Sequence, residues 1–588
     1  MHKNHVSTNE VLIHYPAQDC WLHFSNPAIV LQTHQIDEVV LILGDVEQGL
    51  KRGLYAAGFI AYEASGAFDR ALHTKPAGDF PLIWFGLYER VERSATIPFS
   101  TPLESDHQDQ LSWVASTSRD DYDKAISRIK DYIARGDTYQ VNYTYRLRSS
   151  FSGDPHMLFG ELYRAQKAPY AAFVDTGRFA ICSASPELFF SLEREKITSR
   201  PMKGTASRGL TLQEDNDQAE WLRNSQKNQA ENVMIVDMVR NDIGRIAETG
   251  SVNVPDLLVV EKYPTVWQMV STVTGQTDAG LGDILRALFP PASITGAPKA
   301  RTMEIIEELE TSPRKVYTGG IGFVSPERQA QFNVAIRTAI IDRDDASVEY
   351  GVGGGITWDS VDKAEYEECL AKARILSVRI PRFSLLETLR WTPNRGYTLL
   401  DLHLHRLQES ASYFDFPANF QDVLRCLDEL AAGFDEHDHK VRLLVDQDGS
   451  VRVESVILSS QEPGQLLKVC LSKEPVDSTD PFLYHKTTNR TVYERARDLC
   501  PGFDDVILWN ERGEVTESCI ANLVVELDGK LYTPPVNCGL LPGTYRSWML
   551  SQGQVEERVI HIDDLQKYTR IYLVNSVRGQ MEVEITAF

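Results

Sequence analysis

At 588 residues the chain is too long for one hydrophobic core and needs at least two domains. A formal charge of -23 argues against a nucleic-acid partner, whose affinity comes from clustered Lys and Arg that neutralise phosphates. No apolar run approaches the ~20 residues of a membrane helix and the first ten residues lack a signal-peptide core, so a soluble, cytoplasmic chain with no membrane contact is expected. The eight cysteines, at 20, 182, 369, 426, 470, 500, 519 and 538, form no C-x-x-C pair and read as reduced thiols.

Strand-like runs at Gly58–Tyr62 and Pro81–Tyr88 come first, followed by a polar surface excursion near residues 92–112. Residues 121–135 place Tyr122, Ile126, Ile129 and Ile133 at the spacing of an amphipathic helix. A long helix is expected over Ala219–Arg240, ending near Gly244, and another over Asp362–Val378. Ile380-Pro381-Arg382 breaks the pattern, and a new series of strands and helices starts at Phe383. This mixture predicts an α+β chain with domains at 1–380 and 384–588, without internal repeats or long low-complexity segments.

The most telling motif is Arg200-Pro-Met-Lys203-Gly-Thr205, a lysine set before a Gly-Thr turn. Upstream, Ser183-Ala-Ser-Pro-Glu187 puts an acid at the entrance to an apolar run. Downstream come Glu231 to Arg245, Ser293-Ile-Thr295-Gly-Ala-Pro-Lys299, Gly351-Val-Gly-Gly-Gly355 and Glu365-Tyr-Glu-Glu368. Taken singly, these read as a surface lysine, a strand connection and ordinary helix charges. Together they resemble the chorismate-utilising enzymes over most of the first 380 residues.

That resemblance implies an antiparallel sheet and helix sandwich whose pocket takes chorismate, a cyclohexadiene with two carboxylates and a 4-hydroxyl. Glu365 and Glu368 lie i,i+3 on one helical face, where their oxygens could converge on Mg²⁺, although Glu368 and Lys372 also match a common surface ion pair. The family places metal ligands at the positions of Glu231 and Glu368. Gly353, Gly354 and Gly355 expose successive amides that a carboxylate can approach closely, without the spacing of a dinucleotide fingerprint. By the same resemblance Gly204, Thr205, Thr295, Tyr317, Arg337 and Lys372 join the substrate site, against the plainer readings of a core tyrosine and a structural arginine. Within the family, lysine rather than alanine before Gly-Thr marks the aminodeoxychorismate synthases, and Gln268 stands where anthranilate synthases usually carry histidine. Lys203 is then a nucleophile at C2 of chorismate and Glu187 the acid that protonates the departing hydroxyl. The sequence has no G-x-C-x-G turn, so ammonia is expected from a separate glutamine amidotransferase subunit.

In the second region His403-Leu-His-Arg406, His485-Lys486-Thr-Thr, Glu514-Val-Thr-Glu517, Gly539-Leu-Leu-Pro-Gly543-Thr544 and Asn575-Ser576-Val-Arg578 follow in order. Each alone is a solvated charge or a turn. As a set they resemble fold type IV pyridoxal-phosphate enzymes, the group containing branched-chain aminotransferases and 4-amino-4-deoxychorismate lyases. The resemblance implies that Lys486 holds pyridoxal 5'-phosphate covalently, Glu517 faces the pyridinium nitrogen, and Arg406, Gly543, Thr544 and Ser576 receive the phosphate. By analogy with that family a homodimer through this domain is expected. His403 and His405, at i,i+2, diverge on a helix and make no metal pair.

The expected function is synthesis of 4-aminobenzoate for folate: amination of chorismate at C4, then lyase release of pyruvate. Alternatives are an anthranilate synthase-like domain joined to a transaminase, and a non-catalytic metabolite-binding subunit.

Overall fold

The computed structural model describes residues 9–98, 111–376, 382–458 and 466–587. Pro381 and most of the polar stretch at 92–112 fall outside them. The chain forms two compact units, one of Met1–Ser207 with Ala219–Ile380, the other of Arg208–Gln218 with Pro381–Phe588. The short segment 208–218 groups by its contacts with the residues after 380. Its membership is decided by tertiary contacts that its own polar sequence does not announce.

The first unit is built on two ten-stranded sheets whose pairings are all antiparallel among the described residues. In the first sheet Gln140–Ser150 pairs with Ser347–Ile356, in a register that sets Gly353 opposite Thr144 and Gly355 opposite Asn142. In the second, Met202–Ser207 lies at the edge beside Val266–Gln276, with Thr205 opposite Gln268. One large cluster, including Phe59, Trp84, Phe85, Phe190 and Phe332, forms the core, and a second gathers around Tyr122, Ile126, Phe159 and Tyr350.

The helix expected over 121–135 spans Arg119–Ala134, where the Ser118 side chain accepts from Asp121 N and Tyr122, Ala125, Ile126 and Ile129 are buried. The long helix expected over 219–240 is two, Leu212–Asn224 and Gln226–Gly244. Ser225 leaves helical geometry with ψ 106° and its side chain accepts from Asn228 N, so a capping serine starts a new helix where apolar spacing alone suggested continuity. The helix from Asp362 runs to Ala373 and tightens into a turn at Arg374–Leu376.

The second unit holds a four-stranded sheet centred on Leu385–Thr392 and His439–Val445, covered by helices Leu400–Phe414 and Phe420–Ala431. Its other sheet has eight strands, of which Leu467–Leu471 runs parallel to both neighbours. Both units are thus mixed α and β, as expected. All eight cysteines are free thiols, and among the described residues no helix is long and apolar enough to cross a membrane.

Candidate active sites

In the first unit a cavity of about 160 Å³ opens between strand ends and two helices. Its wall includes Glu187, Lys203, Gly204, Thr205, Glu231, Tyr317, Arg337, Gly353, Gly355, Glu365, Glu368 and Lys372, residues spread over 185 positions of sequence. Lys203 comes from the edge strand Met202–Ser207, and its carbonyl accepts from Asn232 Nδ2 at 3.2 Å, which pins the strand to the helix bearing Glu231. Gly204 adopts φ +96°, a conformation that glycine takes without strain, and turns the chain directly after the lysine. The Gln268 amide donates to Thr205 Oγ1 at 2.9 Å.

Burial lowers the pKa of Lys203, partly offset by the charge of Glu231 and lowered further by Lys372. Glu187 is 3% exposed, and burial raises its carboxyl to about 7 despite a hydrogen bond from Ser293 and the nearby Lys203 ammonium. A buried amine whose pKa is lowered therefore shares a cavity with a buried acid whose pKa is raised, the two directions that favour a nucleophile and a general acid.

The glycine run fits closely. A Cβ at Gly355 would overlap Gln140 Nε2 and stand 2.7 Å from Lys203 Nζ, and one at Gly351 would overlap the Tyr317 ring. Lys372 Nζ donates to Gly353 O at 2.9 Å and pairs with Glu368 Oε1 at 2.6 Å. Gly354 is not on the cavity wall, but its missing Cβ would point 3.4 Å from Glu365 Oε2. Thr295 departs from expectation: it is fully buried off the cavity, and its hydroxyl donates to Pro291 O at 2.9 Å. It braces the wall instead of touching what the cavity holds.

The three carboxylates expected to hold metal all line the cavity, yet among the described residues no three such groups surround one point closely enough to hold an ion. Ammonium groups stand among them. Lys227 Nζ lies 3.9 Å from Glu231 Oε1 and 4.0 Å from Glu365 Oε1, while Lys372 takes Glu368. Burial raises the pKa of Glu231, Lys203 and Lys227 lower it, and Glu365 and Glu368 raise it further. These are hard oxygen donors that repel one another, the chemistry a small dication relieves.

The second unit contains a larger cavity of about 390 Å³, and Lys486, Arg406, Glu517, Gly543, Thr544 and Ser576 all line it. Burial lowers the Lys486 amine to about 8, with the Arg406 guanidinium acting in the same direction. Burial also raises Glu517 to about 7, while its oxygens accept from Tyr493 Oη at 2.8 Å, Leu541 N at 3.2 Å and Asn522 Nδ2 at 3.1 Å. A second polar group centres on Glu387, which sequence reading missed. Its carboxylate takes a two-pronged pair from Arg406 at 2.9 and 2.6 Å and touches His403 Nδ1 at 2.6 Å. His403 Nε2 in turn lies 2.9 Å from Ser576 Oγ and 3.3 Å from Thr544 Oγ1. One buried glutamate thus holds arginine, histidine and, through the histidine, two hydroxyls in a fixed array.

The cavity suits pyridoxal phosphate on its own chemistry. It offers an amine with a depressed pKa, an acid on a separate hydrogen-bonded mount, and hydroxyls beside an arginine. A Cβ at Gly543 would overlap Asn522 Oδ1, so the backbone there is as close to the wall as glycine permits. Lys440, Arg442, Arg490 and Arg578 add further cations to the lining.

These two sites, each a lysine and a high-pKa acid in one cavity, define a chain of two enzyme-like units. The family model described as chorismate binding enzyme matches residues 7–377, and the chain belongs to that family. The model described as amino-transferase class IV matches residues 384–585, and the second unit has that class of fold. The chain is similar to aminodeoxychorismate synthase component 1 of Escherichia coli strain K12, with 44% identity over 267 residues, 45% of this chain and 58% of that protein. It is also 38% identical over 270 residues to anthranilate synthase component 1 of Aquifex aeolicus, covering 46% and 54% of the two chains. The chain therefore spans somewhat more than half the length of the curated relatives it matches. The crystal structure of anthranilate synthase component I from Streptococcus pneumoniae TIGR4 superposes with TM-score 0.53 at 25% identity, over 64% of this chain and 95% of that one.

Proposed function

We propose that the chain converts chorismate to 4-aminobenzoate in two steps, amination in the first unit and pyruvate elimination in the second. The observation that carries this reading is the recurrence of one device, a lysine of depressed pKa beside an acid raised to about 7, in two cavities. Similarity to an aminodeoxychorismate synthase component supports the C4 outcome for the first.

In the first unit Lys203 Nζ adds to C2 of chorismate as Glu187 gives its proton to the 4-hydroxyl, which leaves as water. Ammonia then adds at C4, and the C2–N bond to Lys203 breaks as the ring double bond returns. Thr205, Arg337 and the Gly353–Gly355 backbone bind substrate carboxylate, and Tyr317 packs against the ring. Glu231, Glu365 and Glu368 would hold Mg²⁺, whose charge offsets the substrate's anions once Lys227 and Lys372 yield their carboxylates. Ammonia comes from a separate glutaminase subunit.

In the second unit Lys486 would hold pyridoxal phosphate, Glu517 its ring nitrogen, and Arg406, Thr544, Ser576 and the Gly543 backbone its phosphate. When bound, this cofactor supplies an electron sink for carbanion chemistry at the amino-bearing carbon. The Lys486 amine removes the C4 proton, and the enolpyruvyl group departs as the ring becomes aromatic. Lys440, Arg442 and Arg578 suit a substrate bearing two carboxylates better than a neutral amino-acid side chain. Pairing into a homodimer through this unit belongs to the same proposal.

The test is to incubate the protein with chorismate, ammonia, Mg²⁺ and pyridoxal phosphate and identify the aromatic product. Equal amounts of 4-aminobenzoate and pyruvate are expected. Formation of 2-aminobenzoate would overturn the assignment of the first unit, and 4-amino-4-deoxychorismate accumulating unchanged would overturn that of the second.

A further inference from the structure

The segment Arg208–Gln218 belongs to the second unit although it follows directly on the strand that bears Lys203. It is a tightly folded strap. Arg208 makes a two-pronged pair with Asp215, Nε to Oδ1 at 2.6 Å and Nη2 to Oδ2 at 2.8 Å, and Gly209 N donates to Asp215 Oδ1 at 3.0 Å. A Cβ at Gly209 would overlap Asp215 N, so only glycine lets the chain close this turn. The Asp215 side chain is 1% exposed and that of Arg208 8%.

The strap grips the residue next to the lyase lysine. The Leu210 carbonyl accepts from His485 Nε2 at 3.1 Å, while the Leu210 side chain packs on the cluster that contains Leu483, Tyr484 and Tyr493. Tyr413 stacks on the His485 ring at 4.2 Å between centroids, and its hydroxyl donates to Gly209 O at 2.8 Å. Arg208 lies over the other participant ring, 4.5 Å from the Tyr413 centroid, and donates to Tyr413 O at 2.9 Å. Ser410 Oγ stands 3.0 Å from His485 Nδ1.

Burial lowers His485 to about 4, so the ring is neutral at ordinary pH. With a carbonyl at Nε2, that nitrogen must carry the proton, which leaves Nδ1 to accept from the Ser410 hydroxyl. Every polar atom of the ring is thereby used, and its faces are held by Tyr413 and the T-shaped contact of Phe414. His485 and Lys486 are successive residues in the bend that follows the turn Pro481–Leu483, so a ring held at both nitrogens fixes the backbone from which Lys486 projects. Lys486 is anchored in turn by its carbonyl, which accepts from Leu386 N at 3.0 Å.

We propose that the Arg208–Asp215 strap positions Lys486: by clamping His485 it fixes the direction in which the lysine enters the cofactor cavity, which makes Arg208 and His485 positioning residues of the second reaction. This rests on the reading of Lys486 as the pyridoxal-phosphate lysine. A misplacement of about 1 Å is enough to cost up to about 100-fold in rate.

The test uses the full-length protein with purified 4-amino-4-deoxychorismate, in wild type, Arg208→Met, His485→Leu and His485→Gln. Glutamine keeps a donor for Leu210 O and an acceptor for Ser410. Visible absorbance of bound pyridoxal phosphate is titrated alongside, and kcat and KM are measured separately. Arg208→Met and His485→Leu should lower kcat at least about 10-fold with KM within about 2-fold, and weaken cofactor retention. His485→Gln should restore most of kcat, which a merely space-filling role would not do. Equal kcat in all four proteins, or a loss in His485→Gln as deep as in His485→Leu, would overturn the proposal. If wild type itself shows no cofactor absorbance that depends on Lys486, the reading beneath it fails instead.

Discussion

Lys203 and Lys486 are alike in what their surroundings do to them and opposite in what surrounds them. Burial lowers both amines, and each has an acid held near 7 in the same cavity. Around Lys203, however, stand Glu231, Glu365 and Glu368 interleaved with Lys227, Arg337 and Lys372, whereas Lys486 shares its cavity wall with Arg406, Lys440, Arg442, Arg490, Arg578 and the carboxylate of Glu517. Desolvation thus sets the reactivity of the lysine, and the charges beyond it set what can enter. The first cavity sets carboxylates against ammonium groups, so its charges are largely matched within its own wall. A guanidinium-rich one is ready for phosphate and carboxylates from the start.

The comparison breaks most sharply at the lysines themselves. Lys486→Ala should abolish pyruvate release, about 10⁴-fold or more, together with the visible absorbance of the bound cofactor, and leave chorismate consumption intact. Lys203→Ala should do the converse, with loss of amination by about 10⁴-fold while added 4-amino-4-deoxychorismate is still cleaved. Retained amination in that variant would remove the lysine from the first mechanism.

Next in size, Glu187→Gln should slow amination by about 10²- to 10³-fold. Because the step needs Glu187 protonated and Lys203 as the free amine, the wild-type rate should rise and then fall with pH, with Glu187, held at about 7, contributing to the alkaline fall. That contribution should vanish in the variant, as measured by kcat against pH. Gly355→Ala sharpens a different point, since the new Cβ would press on the ends of two flexible side chains, Gln140 and Lys203, not on backbone. Thermal stability should change little, while amination falls by about 10- to 100-fold through displacement of Lys203.

The smallest expected effect is on stability. Glu187 and Glu517 have folded-state pKa values raised from 4.5 to about 7, so the native state binds their protons more tightly than the unfolded state does. Their contribution is therefore fully present below about pH 4.5 and lost as pH rises through 7. Between pH 5 and 8 this is on the order of 1–3 kcal/mol per group before cofactor or substrate binds. Urea unfolding of the cofactor-free protein at those two pH values should show a smaller difference in Glu187→Gln than in wild type. An equal difference would mean that the acid is less withdrawn from water than its burial indicates.

Much of both sites was legible in the sequence because reactive groups sit in short motifs with glycine beside them. Lys203 with Gly204, Gly353 with Gly355 and Gly543 with Thr544 are places where backbone must come close, and only particular residues allow it. The supporting groups carried no such mark. Asn232, Glu387 and Tyr493 are ordinary residues in ordinary helices and strands, and acquire roles only through partners distant in sequence. Thr295 errs in the other direction, since its motif led to the right place in the fold but its hydroxyl turns inward to Pro291. The break at Ser225 was readable in principle as a cap, and lost to a stronger periodic signal on either side.

The strap gives the chain a history on the ribosome. Residues 208–218 emerge long before 381–588, so the second unit receives its first piece early and its remainder only when synthesis is nearly done. A gene cut at the junction after residue 380 would part the second unit from eleven of its own residues, including the carbonyl that holds His485. Two genes could be joined end to end without such an arrangement. Once it exists, separating them again requires that the missing piece be replaced.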